Sequence, residues 1–261
     1  MNYHFCAKTD PGRARDNNED SVVFDEDTDI AILADGMGGY NAGEIASGMA
    51  TAFIKSELSR WLTEAGHSAK PREVRRAMEI CVDNANLSIF NSANSNAHYA
   101  GMGTTLVVGA FRDDLLLIGH IGDSRCYRMR AGVLEQITKD HSLLQEQMDA
   151  GLITQEQAAT STIKNLVTRA LGVEETVLLE VNEYPVEVGD IYLMCSDGLS
   201  DMVDDPAIAK IVSSDVGLEQ KAVQLVDEAN ANGGRDNISV LLVEVSEATE
   251  KRGLIARLLG K

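Results

Sequence analysis

The chain has 261 residues, enough for one domain or two and for burial of roughly 70 to 75% of its unfolded surface. Hydrophobic residues make up 44% and charged residues 25%, the balance of a soluble globular protein. The 23 basic and 41 acidic side chains leave a formal charge of −18, which argues against nucleic acid or an anionic membrane as partner.

The four cysteines, Cys6, Cys81, Cys126 and Cys195, stand singly and read as small buried hydrophobes in a reducing compartment. No signal-like leader and no membrane-length apolar run is present, so the expected location is the cytoplasm.

In chain order, the first clear element is the apolar run "TDIAILADG", read as a buried strand that ends at Asp35. Ala46, Ala50, Ile54, Leu58 and Trp61 then recur at helical spacing, as do Val74, Ala77, Met78, Cys81 and Ala85, which predicts two consecutive helices. "TTLVVGAFRDDLLLIGHIGDSRCYRM" reads as strands in a hairpin turning at Arg112, Asp113 and Asp114. Residues 142–165 are polar and interrupt the strands as a helical or irregular excursion, a length often used for lids. Strands follow in "VLLEVNEYPV" and "GDIYLMCSDG". A helix through Leu218, Ala222, Leu225, Val226 and Ala229 precedes a final strand in "NISVLLVEV". Hairpin strands interrupted by helical blocks predict an α+β fold with antiparallel sheets.

Aspartates recur where strands end. Asp35, Asp123 and Asp197 close or follow apolar runs, and Asp236 precedes the last one. Any one of them reads as a turn former. Four together suggest a cluster that needs a cation to offset its repulsion, and an oxygen-only donor set suits Mg²⁺ or Mn²⁺ rather than zinc. Gly36 would let the backbone carbonyl approach such an ion, with Asp35 bridging two of them. Upstream, Arg15 in "GRARDNNEDS" is suited to gripping a phosphate, and Glu19 and Asp20 could add ligands or orient water.

"RARDNNEDS", "LADGMGG", "GTTL", "IGDSRCY", "KDHSLL", "CSDGLSD" and "GGRDNIS" together resemble the metal-dependent protein phosphatases of the 2C family, and its compact bacterial members most of all. The resemblance spans about residues 3–245 and implies a β-sandwich of two antiparallel sheets flanked by helix layers (α-β-β-α). It implies one catalytic domain over 1–246, with a flap at about 143–166, and a basic amphipathic tail at 247–261. By position, Asp35, Gly36, Asp197 and Asp236 would hold two central Mn²⁺ or Mg²⁺ ions, and Arg15 would bind substrate phosphate. Glu19 and Asp20 match acids that bind a metal or its waters. Asp123 matches the acid of a third, weaker metal, shared with Asp197, and Asn237 matches a polar neighbour of the site.

The activity implied is hydrolysis of protein phosphoserine and phosphothreonine by a water or hydroxide bridging two metals, opposing a bacterial Ser/Thr kinase. The expected partners are phosphorylated proteins, and the chain is expected to act as a monomer. Many eukaryotic members have a histidine at the position of Met37 that serves as general acid. Methionine cannot donate a proton, so a water on the third metal is the expected donor. His141 is the alternative acid, although a histidine after a strand reads first as a structural hydrogen-bonder. Thr104 and Thr105 read as supports for strand packing. Three other readings remain open: a phosphoprotein-binding relative without hydrolysis, which should lack ligands; a two-metal phosphodiesterase, which should use histidine ligands; and a relative that targets anti-sigma-factor antagonists, which often lacks the phosphate-binding arginine. In the tail, Leu254, Ile255, Leu258 and Leu259 share a face amid basic residues, the pattern of a docking helix or of one packed on the domain.

Overall fold

The computed structural model describes residues 1–39, 42–66, 68–159, 161 and 166–248. Residues 160 and 162–165 of the expected flap, and all of the expected tail beyond 248, lie outside the described residues.

One sheet holds β2 (Asp20–Asp25), β3 (Ile30–Met37), β5 (Leu106–Arg112), β6 (Leu115–Ile121) and β9 (Glu180–Pro185) in that order, with the short β4 (Gly103–Thr104) beside β3. The other runs β1 (Asn2–Asp10), β11 (Ile238–Ser246), β10 (Ile191–Cys195), β7 (Arg125–Arg130), β8 (Val133–Gln136). All pairings are antiparallel.

Alternation along each strand assigns its two faces. In β3, Ile30, Ile32 and Ala34 are buried with the apolar stripes of α1 (Ala42–Ala65) and α2 (Pro71–Ser95), whereas Ala31 and Leu33 face the other sheet. In β11, Ile238, Val240 and Leu242 pack toward α5 (Asp197–Ser200), α6 (Asp205–Val212) and α7 (Leu218–Ala231), whereas Leu241, Val243 and Val245 face inward. Three apolar layers result, which is the α-β-β-α sandwich expected from the sequence. Phe5 stacks on Phe24 at 5.5 Å and Phe111 meets Tyr192 edge-on at 5.4 Å, so aromatic pairs tie one sheet to the other.

The boundaries have local causes. Pro71 opens α2 while Glu73 accepts the Lys70 N–H at 2.8 Å, and Asp204 caps α6 by accepting the Ala207 N–H at 2.9 Å. The β5–β6 hairpin turns through Asp113 at φ +55°, a left-handed value that aspartate tolerates. The excursion after β8 contains α3 (Leu143–Asp149) and α4 (Gln155–Ala159). No helix among the described residues is long and apolar enough to cross a membrane.

Candidate active site

Antiparallel order collects the acids at one end of the sandwich. β2 starts where β3 stops, so Asp20 lies directly opposite Asp35 in the register, both on the inward face. β10 stops where β11 starts, which brings Asp197 and Asp236 to the same end of the second sheet. Asp123 sits in the turn from β6 to β7, and Arg15 and Glu19 lie on the loop from β1 to β2. A cavity of about 300 Å³ is lined by Arg15, Glu19, Asp35, Gly36, Asp123, Asp197 and Asp236, with Met37, Gly38, Thr105 and Val167 completing its wall. Asp20 lies beside Asp35 across the strand pair but outside that lining, and His141 is outside it too.

Each acid is held by its own small network. The Asp35 N–H donates to Thr105 Oγ1 at 3.0 Å, and its carbonyl accepts from Thr105 N–H and Thr104 Oγ1, both at 2.9 Å. Thr105 Oγ1 also bonds Ser124 Oγ at 2.7 Å, which links Asp35 to the neighbour of Asp123. The two threonines therefore anchor the backbone of Asp35. Ser196 Oγ donates to Asp20 Oδ2 at 2.8 Å and accepts the Ser239 N–H at 3.0 Å, crossing between the sheets. Asn237 clamps the Arg15 loop: its Oδ1 accepts the Glu19 N–H at 2.8 Å, and its Nδ2 donates to the carbonyls of Pro11 at 3.1 Å and Asn17 at 2.8 Å. Arg15 Nη2 donates to Asp236 Oδ2 at 2.7 Å, with half its side chain in solvent.

Gly36 has a structural reason the sequence does not disclose. A Cβ there would overlap the backbone of Gly43 in α1 and the carbonyl of Glu19, so the first turn of the helix leans directly on the end of β3. The requirement for glycine is close packing, whatever its carbonyl then does.

Electrostatically the acids crowd one another. Burial and the charges of Asp20, Asp197, Asp123 and Asp236 hold Asp35 well above the usual carboxylate range. Asp197 is raised in the same way, by burial first and then by Asp123, Asp201 and Asp236. Burial pushes Asp20 up to about 6, with Asp236 adding to it, and Asp123 up to about 6, with Asp140 adding to it. Asp20 Oδ1 is buried without a hydrogen-bond partner. An orphaned carboxylate oxygen among mutually repelling acids fits a hard divalent cation as the missing counter-charge.

The acids ring the cavity rather than meeting at a point. Among the described residues, the three side chains whose ligand atoms lie within 4.8 Å of one another are instead His120, His141 and Glu180. Thr104 and Thr105, which read from the sequence as supports for strand packing, hold the backbone of Asp35, whereas nothing in the sequence signals the bond from Ser196 to Asp20, 176 positions away.

Known proteins are similar to this chain in sequence and fold. The family described as Protein phosphatase 2C matches residues 13–233. The serine/threonine phosphatase stp of Listeria monocytogenes is 39% identical over 244 residues, covering 92% of this chain and 95% of that protein. The crystal structure of the Mycobacterium tuberculosis serine/threonine phosphatase PstP/Ppp is similar with a TM-score of 0.87 at 34% identity, over 95% of this chain and 100% of that one. The catalytic domain of PstP in complex with two manganese ions gives a TM-score of 0.82 at 35% identity, over 94% and 99% of the two chains. The chain belongs to the protein phosphatase 2C family.

Proposed function

We propose that in this metal-dependent Ser/Thr phosphatase Asp35, the Gly36 carbonyl, Asp197 and Asp236 hold two Mn²⁺ or Mg²⁺ ions, and that Glu19 and Asp20 orient the ligands and waters around them. The observation that carries the reading is the partnerless Asp20 Oδ1 on the strand beside Asp35. When bound, the central ions would make hydroxide available near neutral pH and offset phosphoryl charge, and Asp123 and Asp197 would hold a third ion able to acidify water near the leaving oxygen. Arg15 turns its free N–H groups to the phosphoryl oxygens and so orients the ester for in-line attack. Met37 lines the cavity without a proton to give, so the serine or threonine oxygen takes its proton on the Asp123 side.

Phosphoproteins are the substrates on this reading, a bacterial Ser/Thr kinase supplies them, and the chain works as a monomer in the cytoplasm. Four unpaired cysteines are consistent with a reducing compartment. One domain over 1–246 carries the activity, followed by the tail. The excursion of 143–166 serves as a flap: Leu144, Gln145 and Met148 of α3 and Gln155 and Ala158 of α4 wall a cavity that shares Asp123 and Asp197 with the acid ring.

The test is hydrolysis of phosphothreonine peptides and p-nitrophenyl phosphate with and without metal. Turnover of both is expected with Mn²⁺ or Mg²⁺ and not in excess chelator. Full activity in chelator, or undiminished turnover by Asp197→Asn, overturns the reading.

A further inference from the structure

Directly beneath the Asp123 turn lies a pair of buried histidines that the chemistry above does not use. β6 ends at Ile121, and the chain turns through Gly122 at φ +102°, where a side chain would also collide with Thr105. Gly122 has no strand partner for its polar groups, and His141 supplies both. The His141 N–H donates to the Gly122 carbonyl at 2.8 Å, and the Gly122 N–H donates to His141 Nδ1 at 3.2 Å.

That second bond fixes the proton. A backbone N–H only donates, so Nδ1 is the acceptor and the neutral ring carries its hydrogen on Nε2, which faces Glu180 Oε2 at 3.3 Å with Arg169 Nη1 at 3.4 Å from the same nitrogen. Burial keeps the ring below its ordinary pKa and therefore neutral, with His120 lowering it further. His120 stacks under it with centroids 4.6 Å apart and planes 13° from parallel, and its own Nε2 donates to the Lys139 carbonyl at 2.7 Å. On the far side, the His141 carbonyl accepts the Thr168 N–H at 2.8 Å, next to Val167 in the cavity wall.

The same three residues, His120, His141 and Glu180, could be taken for a metal site. Their hydrogen bonds oppose it. A metal at His141 Nε2 would have to displace the proton that the Gly122 bond places there, and near-parallel stacked rings do not aim two lone pairs at one point.

We propose that His141 is a positioning residue for the hydrolysis: it holds both polar groups of Gly122 and thereby sets the Asp123 carboxylate for proton delivery to the leaving oxygen. Glu180 selects its tautomer and His120 supports its plane. The inference rests on the reading of Asp123 given above. A serine or threonine alkoxide needs the proton, whereas p-nitrophenolate leaves without it, so a displaced Asp123 penalises the two substrates unequally.

The experiment compares wild type, Asp123→Asn, His141→Ala and His141→Asn on a phosphothreonine peptide and p-nitrophenyl phosphate, with Mn²⁺ titration by calorimetry. In His141→Asn a side-chain oxygen replaces Nδ1 as acceptor for Gly122. The expected result is a fall in peptide kcat of about 10- to 100-fold for His141→Ala, the range for groups that orient a metal ligand, with a much smaller fall on p-nitrophenyl phosphate. Tight Mn²⁺ binding should persist while the weak phase is lost, and His141→Asn should recover most of both. Nitrogen-15 spectra of the metal-free wild type should show His141 neutral, bare at Nδ1 and protonated at Nε2. A proton on Nδ1, equal losses on the two substrates, or His141→Asn as impaired as His141→Ala overturns the inference. If Asp123→Asn separates the substrates and His141→Ala does not, His141 alone is excluded. If Asp123→Asn does not separate them, the proton-delivery reading falls and this inference falls with it.

Discussion

At the scale of single residues, Arg15 and Asp236 form an exposed ion pair at the rim of the acid ring. Such a pair adds little to stability, which leaves the guanidinium available to an incoming phosphate. Arg15→Ala is expected to raise KM for a phosphopeptide by about tenfold, as loss of a charge-assisted hydrogen bond would, while Mn²⁺ affinity stays nearly unchanged. Steady-state kinetics beside metal titration checks this. Release of the metal by the same change would assign Arg15 to the metal centre instead. The acids themselves are legible in the sequence because each closes or opens an apolar run next to glycine or a small residue. Their supports are only partly so: Thr105 reads as a strand support and Asn237 as a polar neighbour of the site, but their partners, like that of Ser196, are groups that only the pairing of distant strands brings near.

At the scale of elements, the site depends on how its loops are fastened to the sheets. The loop from β1 to β2 has little apolar content and is fastened largely through Asn237, one residue before β11. Asn237→Ala leaves the Glu19 N–H and two carbonyls without these partners, at an expected cost of about 1–3 kcal/mol in urea unfolding. KM should rise in the same direction as for Arg15→Ala, because the loop carrying that residue loses its register. An unchanged KM would show that the loop is held by other means. The long helices α1 and α2 and the β5–β6 hairpin follow from periodicity and from a two-residue turn. The short α5 and α6 do not, since a four- or eight-residue helix hardly establishes a period; the cap at Asp204 and the proline after it are the only local signals for α6.

For the whole molecule, the acid ring makes stability depend on pH and metal together. Asp20 and Asp123 have folded values of about 6 against an ordinary 3.8, and Asp35 and Asp197 are raised as well. A raised carboxylate binds its proton more tightly in the folded chain. Its contribution is therefore complete below pH about 3.8 and is lost as pH rises through the folded value. The metal-free protein should accordingly lose stability between pH about 4 and 7, and the gain in Tm on adding saturating Mn²⁺ should widen across the same window. Differential scanning calorimetry with and without chelator measures that gap, and a gap independent of pH would contradict the crowding described here.

β1 and β11 lie side by side along their whole lengths, from Asn2 against Ser246 to Asp10 against Ile238, although they are the first and the last strand among the described residues. β11 also separates β1 from β10, so without it the second sheet falls into two pieces. Asp236 and Asn237, the two residues just before β11, come equally late. During synthesis, then, a growing polypeptide has all of Asp20, Asp35, Asp123 and Asp197 before it has the strand that completes the second sheet. A chain that stops before Ile238 would hold Asp20, Asp35, Asp123 and Asp197 but not the strand that joins β1 to β10, and should therefore lack the assembled site.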